Sequence, residues 1–154
     1  MKNRFLFLSA LLFVSIIGME NEQIKIEGPF FNGKKQEYYL MAQFKEKEIG
    51  SATYYPYQGT NRWYLSILEV DPLYQKKGIA TQLLRACITH AQAMRANSLE
   101  WRVLPKNIDM SESQLIAIYK QILTKIHPEF VQNVTEEERG DEYLSRTFLV
   151  LKFY

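Results

Sequence analysis

The period of the hydrophobic pattern changes several times along the chain, and each change predicts an element. Residues 23–28, QIKIEG, alternate apolar and polar positions as a short strand does, and GPFFNGKK after them carries turn chemistry. YYLMAQF (38–44) and IGSATYY (49–55) predict two strands of a hairpin joined by the charged turn KEKE. NRWYLSILEV (61–70) is a nearly continuous apolar run, too short for most helices, which predicts a strand buried on both faces and ended by Asp71-Pro72. From Gly78 the period becomes helical: Leu83, Leu84, Cys87, Ile88, Ala91 and Met94 share one side of a helix that runs to about Arg95. SLEWRVLP (98–105) predicts another strand, so strand, helix and strand form a crossover between parallel neighbours. SESQLIAIYKQILTKI (111–126) predicts a second helix, with Ser111 or Ser113 as N-cap and His127-Pro128 beyond its end. EFVQNV and YLSRTFLVLKFY then predict two closing strands separated by the acidic turn EEERGDE. The fold class is therefore α/β, a twisted mixed sheet flanked by helices.

Composition narrows the function classes. A chain of 154 residues that is 47% hydrophobic and 14% aromatic can bury a single core. Net charge is +2 with both signs interspersed, so no extended basic surface points to a nucleic-acid partner, and any anion is bound locally. The single cysteine, Cys87, excludes an intramolecular disulfide and a cysteine metal cluster, and its place on the apolar side of a helix predicts core. His90 and His127 stand alone, so no metal site is expected. Residues 1–18 stand apart, because Lys2 and Arg4 precede an apolar run with the layout of a signal peptide, too short to span a membrane comfortably and without a good cleavage site. Met19 follows at once. The expected organisation is an apolar leader over 1–18 and one domain over 19–154. The protein is cytoplasmic if Met19 is the start, and exported or membrane-associated through 1–18 if the leader is real.

The candidate chemistry lies in LEVDPLYQKKGIATQLLRA, residues 68–86, where a strand meets a basic, glycine-containing turn and then a helix. The first amides of a helix have no internal partner and carry the positive end of its dipole, so an anion there receives several hydrogen bonds at once. Gly78 allows close backbone approach, Lys76 and Lys77 add charge, and Ala80 keeps the next turn slim. Such a turn suits a pyrophosphate. Taken alone it is also compatible with an ordinary helix start bearing two solvated lysines.

The longer pattern closely resembles the acyl-CoA signature of the GNAT superfamily of N-acyltransferases. Gln75, Gly78 and Ala80 fit Q/R-x-x-G-x-G/A, Val70-Asp71-Pro72 fits the preceding V-x-P, and Leu83-Leu84 are the paired leucines that follow. FKEKEIGSATYY resembles the family's hairpin, SLEWRVLPKN its next strand with Val103 and Asn107, and LIAIYKQ the helix that carries its tyrosine, here Tyr119. The resemblance implies a GNAT-like fold, with acetyl-CoA as co-substrate and no metal. It places the pantetheine arm beside Leu68 and Val70, with Asn107 also in the cofactor site. The pyrophosphate falls on Gln75, Lys76, Lys77, Gly78, Ile79, Ala80 and Thr81, and Tyr119 becomes the acid that assists the departing thiolate. A general base is less defined. Glu69, near the strand end and pointing away from the faces of Leu68 and Val70, is one candidate, and its desolvation would raise its pKa; Glu100 is another. Where some branches of the family carry a carboxylate, Tyr64 and Arg102 stand here, and Arg102 facing the cleft would hold a carboxylate of the acceptor.

Two departures bear on the acceptor. About nine residues, 28–36, separate the first strand from the hairpin, too few for the two helices the family usually places there. The acceptor side is thus expected to be open, to admit a small-molecule, peptide or protein amine, or to be completed by a second subunit as a homodimer. Leu123 and Thr124 also stand where the family usually has a glycine and an aromatic residue. The function implied is transfer of an acetyl group from acetyl-CoA to a primary amine. The alternative is a catalytically inactive CoA-binding or interaction module, exported if the leader is real, since acyl-CoA is an intracellular cofactor.

Overall fold

The computed structural model describes residues 23–104, 109–141 and 144–154. The leader 1–18, Met19 and Asn107 lie outside the described residues. Strands β1 (Lys25–Asn32), β2 (Glu37–Phe44), β3 (Lys47–Pro56) and β4 (Arg62–Val70) precede helix α1 (Ile79–Ala93) and strand β5 (Ser98–Arg102). Helix α2 (Glu112–Ile126) and strands β6 (Val134–Asp141) and β7 (Leu144–Lys152) follow. The strands form one sheet in the order β1-β2-β3-β4-β5-β7-β6, antiparallel except where β4 and β5 pair in parallel across the crossover helix. This is the predicted α/β fold. Four residues join β1 to β2, and no helix stands between them.

Three predicted boundaries are corrected. GPFF is strand rather than turn, because Gly28 and Pro29 enter the edge strand as a bulge that shifts the register between Glu27 and Phe30. Gly28 has φ +109°, and a Cβ there would lie 2.7 Å from the Tyr39 carbonyl oxygen, so the bulge requires glycine. The hairpin turn is Lys45-Glu46 alone, both residues in the left-handed region that a two-residue hairpin demands. EEERGDE is largely β6 itself, while Pro128–Val131 form a single 3-10 turn. Its charges suit an edge strand, where they discourage pairing with another chain.

Both helices cover one face of the sheet. On α1, Leu83, Leu84, Cys87, Ile88 and Ala91 are buried against the face that carries Tyr54, Trp63, Leu65 and Leu99. Ser111, not Ser113, caps α2, accepting from the Gln114 amide while Gln114 returns a bond to the Ser111 amide. Among the described residues no helix covers the opposite face, and no helix is long and apolar enough to cross a membrane. His90 is structural: its Nδ1 lies 3.0 Å from the Tyr54 hydroxyl, and burial lowers its pKa.

β4 is less buried than predicted, and its second half explains why. Tyr54 faces Leu65 and Thr53 faces Ile67, which leaves Ser66 as an extra residue on β4, its hydroxyl donating to the Thr53 carbonyl at 3.0 Å. Such a bulge bends and twists the strand that holds it. Pairing with β5 is accordingly confined to Arg62/Ser98, Trp63/Leu99 and Tyr64/Glu100. Beyond Tyr64 the two strands part, and Ser66, Ile67 and Glu69 are exposed.

One buried side chain offers a test of the core. Gln82 on α1 is 7% exposed, and neither its amide oxygen nor its nitrogen meets a partner among the described residues. Gln82→Met keeps the volume and removes the desolvated amide, so it should raise stability by about 1 kcal/mol, or roughly 2–4 °C in melting temperature. A lower melting temperature would show that the amide is satisfied.

Candidate active site

The parting of β4 from β5 opens two adjoining clefts. The first, about 440 Å³, lies between the end of β4, the N-terminus of α1 and α2, and its wall includes Leu68, Val70, Gly78, Ala80 and Tyr119. The second, about 740 Å³, runs between β4 and β5 and is lined among others by Tyr64, Ser66, Glu69, Arg102 and Tyr119. Leu68, Val70, Gln75, Met110, Leu115 and Tyr119 line both, so the two are continuous.

The turn between β4 and α1 is held from several sides. Asp71 accepts from the Leu73 amide at 3.0 Å and pairs with Lys47 at 3.1 Å; those contacts hold its carboxyl below the usual value, the backbone bond contributing most. The Gln75 side chain donates to the Val70 carbonyl at 3.2 Å and ties the turn to the strand end. Lys76 and Gly78 are both left-handed, φ 61° and 78°. For lysine this conformation costs about 1 kcal/mol, strain of the kind kept at binding sites. Among the described residues no side chain caps the first amides of α1, and no acidic residue sits in its first turn. Ile79, Ala80 and Thr81 line the first cleft at this end. The donor set fits a pyrophosphate: uncapped amides at the positive end of a helix, a glycine that admits close approach, and a lysine in the wall. The two lysines divide, because Lys76 lines the cleft while the Lys77 ammonium lies 5.1 Å from the centroid of the Tyr74 ring.

Tyr119 stands where the clefts meet, packed against Trp101 with ring centroids 5.3 Å apart. Burial pushes its phenol up to about 12, so it keeps its proton at neutral pH. Five residues that sequence reasoning passed over join the same wall from α2: Leu115, Ile118, Gln121, Ile122 and Lys125. The i+3 spacing from Tyr119 to Ile122 to Lys125 is the signal that could have found two of them.

The base candidates separate. Glu69 lines the second cleft from the face opposite Leu68 and Val70, as strand alternation predicted, but it is exposed rather than desolvated. Glu100 is fully buried and locked, receiving Arg62 at 2.9 and 3.0 Å and Arg139 at 2.8 Å. Burial opposes its ionisation, but the hydrogen bonds and charges of Arg139 and Arg62 outweigh it and hold the carboxyl below the ordinary value. A carboxylate so satisfied is a poor proton acceptor, and Glu100 is a structural ion-network residue. Cys87 is buried, which pushes its thiol pKa up, as core rather than nucleophile.

The model of the acetyltransferase (GNAT) family matches residues 12–121, more than two-thirds of the chain. This chain belongs to the GNAT family. Comparison with curated proteins finds no match in sequence. Solved GNAT-fold structures share its architecture at low identity. PaiA N-acetyltransferase of Thermoplasma acidophilum, in complex with coenzyme A, is 17% identical with a TM-score of 0.57, over 77% of this chain and 62% of that one. The Bacillus subtilis acetyltransferase in complex with CoA is 15% identical with a TM-score of 0.55, over 86% of this chain and 100% of that one. A GNAT family acetyltransferase of Elizabethkingia anophelis with acetyl-CoA bound is 16% identical with a TM-score of 0.51, over 78% of each chain. At such identities the likeness shows the fold.

The locked Glu100 makes a prediction that separates structure from catalysis in this GNAT chain. Its depressed folded pKa contributes stability that is present above the ordinary carboxylate value near 4.5 and lost as pH falls through the folded value. Glu100→Gln should therefore cost about 1–3 kcal/mol at pH 7, discounted because both arginines are partly exposed, and should flatten the acid side of the stability profile. Unchanged denaturant midpoints at pH 7 and pH 4 would rule the network out as a structural element.

Proposed function

We propose that this protein transfers an acetyl group from acetyl-CoA to a primary amine by direct attack on the thioester. The observation that carries the reading is the N-terminus of α1, uncapped among the described residues, opening into a cleft that also contains the half-buried Tyr119. Acetyl-CoA supplies the activated acyl group. The amides around Gly78 to Thr81 and the Lys76 ammonium hold the pyrophosphate, and Gln75 fixes the turn that presents them. Among the described residues no strand pairs with β4 beyond Tyr64 on its β5 side, which leaves main-chain groups near Leu68 and Val70 for the pantetheine amides.

The amine arrives through the second cleft. A primary amine with a pKa near ~10 is almost entirely protonated at pH 7 and must lose a proton before attack. Glu69, the carboxylate in that cleft, receives it directly or through water. As the C–N bond forms and the C–S bond breaks, Tyr119 donates a hydrogen bond to the leaving sulfur. With its own pKa near 12 the phenol is a weaker acid than an alkyl thiol near ~8.5, so it stabilises the thiolate by hydrogen bonding rather than by permanent proton loss. The proton that finally rests on sulfur comes from the amine nitrogen.

Two variants test the reading together. Gly78→Asp puts a side chain and a negative charge at a left-handed cradle position and should weaken acetyl-CoA binding at least ~100-fold by calorimetry in a chain that still folds. Tyr119→Phe should bind acetyl-CoA like the parent yet turn over about 10- to 100-fold more slowly on an amine panel. A folded parent that binds no acetyl-CoA removes the proposal, and a Tyr119→Phe protein with full activity removes the role of the phenol.

A further inference from the structure

Arg102 ends β5 on the wall of the second cleft and takes no part in the first. Its place in the sheet is fixed by pairing opposite Phe148 of β7, so it shares the helix-free face with Tyr64, whose ring lies 6.4 Å from that of Phe148. Its Nε is sealed from solvent, and among the described residues it has no hydrogen-bond partner and its guanidinium makes no ion pair. The neighbouring cations differ. Arg62 and Arg139 on the same face are neutralised by Glu100, and Arg139 also by Glu137. Arg102 is thus an uncompensated cation in a half-buried site, where a fixed charge gains most from an anion brought in by a ligand.

Resting on the N-acetyltransferase reading, we infer that Arg102 is the acceptor-binding residue that selects amines carrying a carboxylate. The guanidinium edge that is not sealed presents the planar fork that a carboxylate matches with two hydrogen bonds. One positive charge answers one carboxylate, whereas a phosphate dianion would call on the two arginines that are already engaged. The far wall of the same cleft carries Glu69, so an aminocarboxylate lies with its amine towards β4 and the thioester and its carboxylate towards β5. A cleft of about 740 Å³ has room for an amino acid or a dipeptide.

The test compares amino acids and dipeptides bearing a free carboxylate with the same compounds as C-terminal amides, at equal concentrations of free-base amine, using the whole chain and acetyl-CoA. The parent should prefer the carboxylates by roughly 10- to 100-fold in kcat/KM. Arg102→Gln should bring the two sets within about twofold by raising KM for the carboxylates, while kcat and the KM for acetyl-CoA stay within about threefold, and Arg102→Lys should fall between. Amides that serve equally well in the parent, a preference that survives in Arg102→Gln, or a loss confined to acetyl-CoA binding would each overturn the inference. If neither set is acetylated, the transferase reading fails, and the Arg102 site is decided on the native protein. Its Nε–Hε resonance should then shift on titration with the carboxylate dipeptides and not with their amides, and no shift would overturn the site as well.

Discussion

The structure depends on two strands that begin side by side and then stop pairing. β4 and β5 share three register positions, and the extra residue at Ser66 then turns β4 away while β3 continues to hold its other edge. Peptide groups that lose a neighbouring strand must find another partner, which makes the interior of the wedge receptive to a ligand that can pair as a strand does. The same divergence leaves the N-terminus of α1 facing open space at one end and Arg102 and Glu69 on opposing walls at the other. Without the bulge the two clefts would close into an ordinary parallel pair, and the glycine turn would present its amides to a filled sheet.

The two faces of the sheet do different work. The helix-covered face holds the core, from Leu40 and Tyr54 through Trp63 to Leu151, and α1 and α2 meet there. The other face replaces a helical cover with an aromatic row, Tyr55, Tyr57, Tyr64 and Phe148, and with the charge network of Arg62, Glu100, Arg139 and Glu137. Four residues join β1 to β2, too few to form a helix over it, and among the described residues no helix covers it. A fully buried carboxylate held by two arginines at the point where β4 and β5 still pair braces the strands just before they separate.

Much of this was legible in the sequence because local chemistry and long-range packing agreed. The helical period from Gly78, a serine cap before the second helix, and the signature from Leu68 to Leu84 each name an element and its place, though only the structure chooses Ser111 over Ser113. The errors fall where tertiary context overrode local composition. GPFF looked like a turn because Gly28 and Pro29 disfavour strands, yet an edge strand absorbs both as a bulge. EEERGDE looked like a loop because its charges conceal a strand that pairs along its length with β7. Glu100 resembled a base because spacing alone cannot reveal that Arg62 and Arg139, distant in sequence, converge on it. Conversely, Ser66 carries no signal of a bulge, since the register shift exists only relative to β3.

The central claim is that the wedge between β4 and β5, with the α1 N-terminus at its mouth, is an acyl-CoA site. Backbone amide resonances of the isotopically labelled protein, followed as coenzyme A is added, test it most directly. The account predicts the largest shifts at Lys76 to Thr81, with a second group along Leu65 to Val70. A well-dispersed spectrum that does not change at millimolar coenzyme A, or that changes only away from those residues, would contradict it.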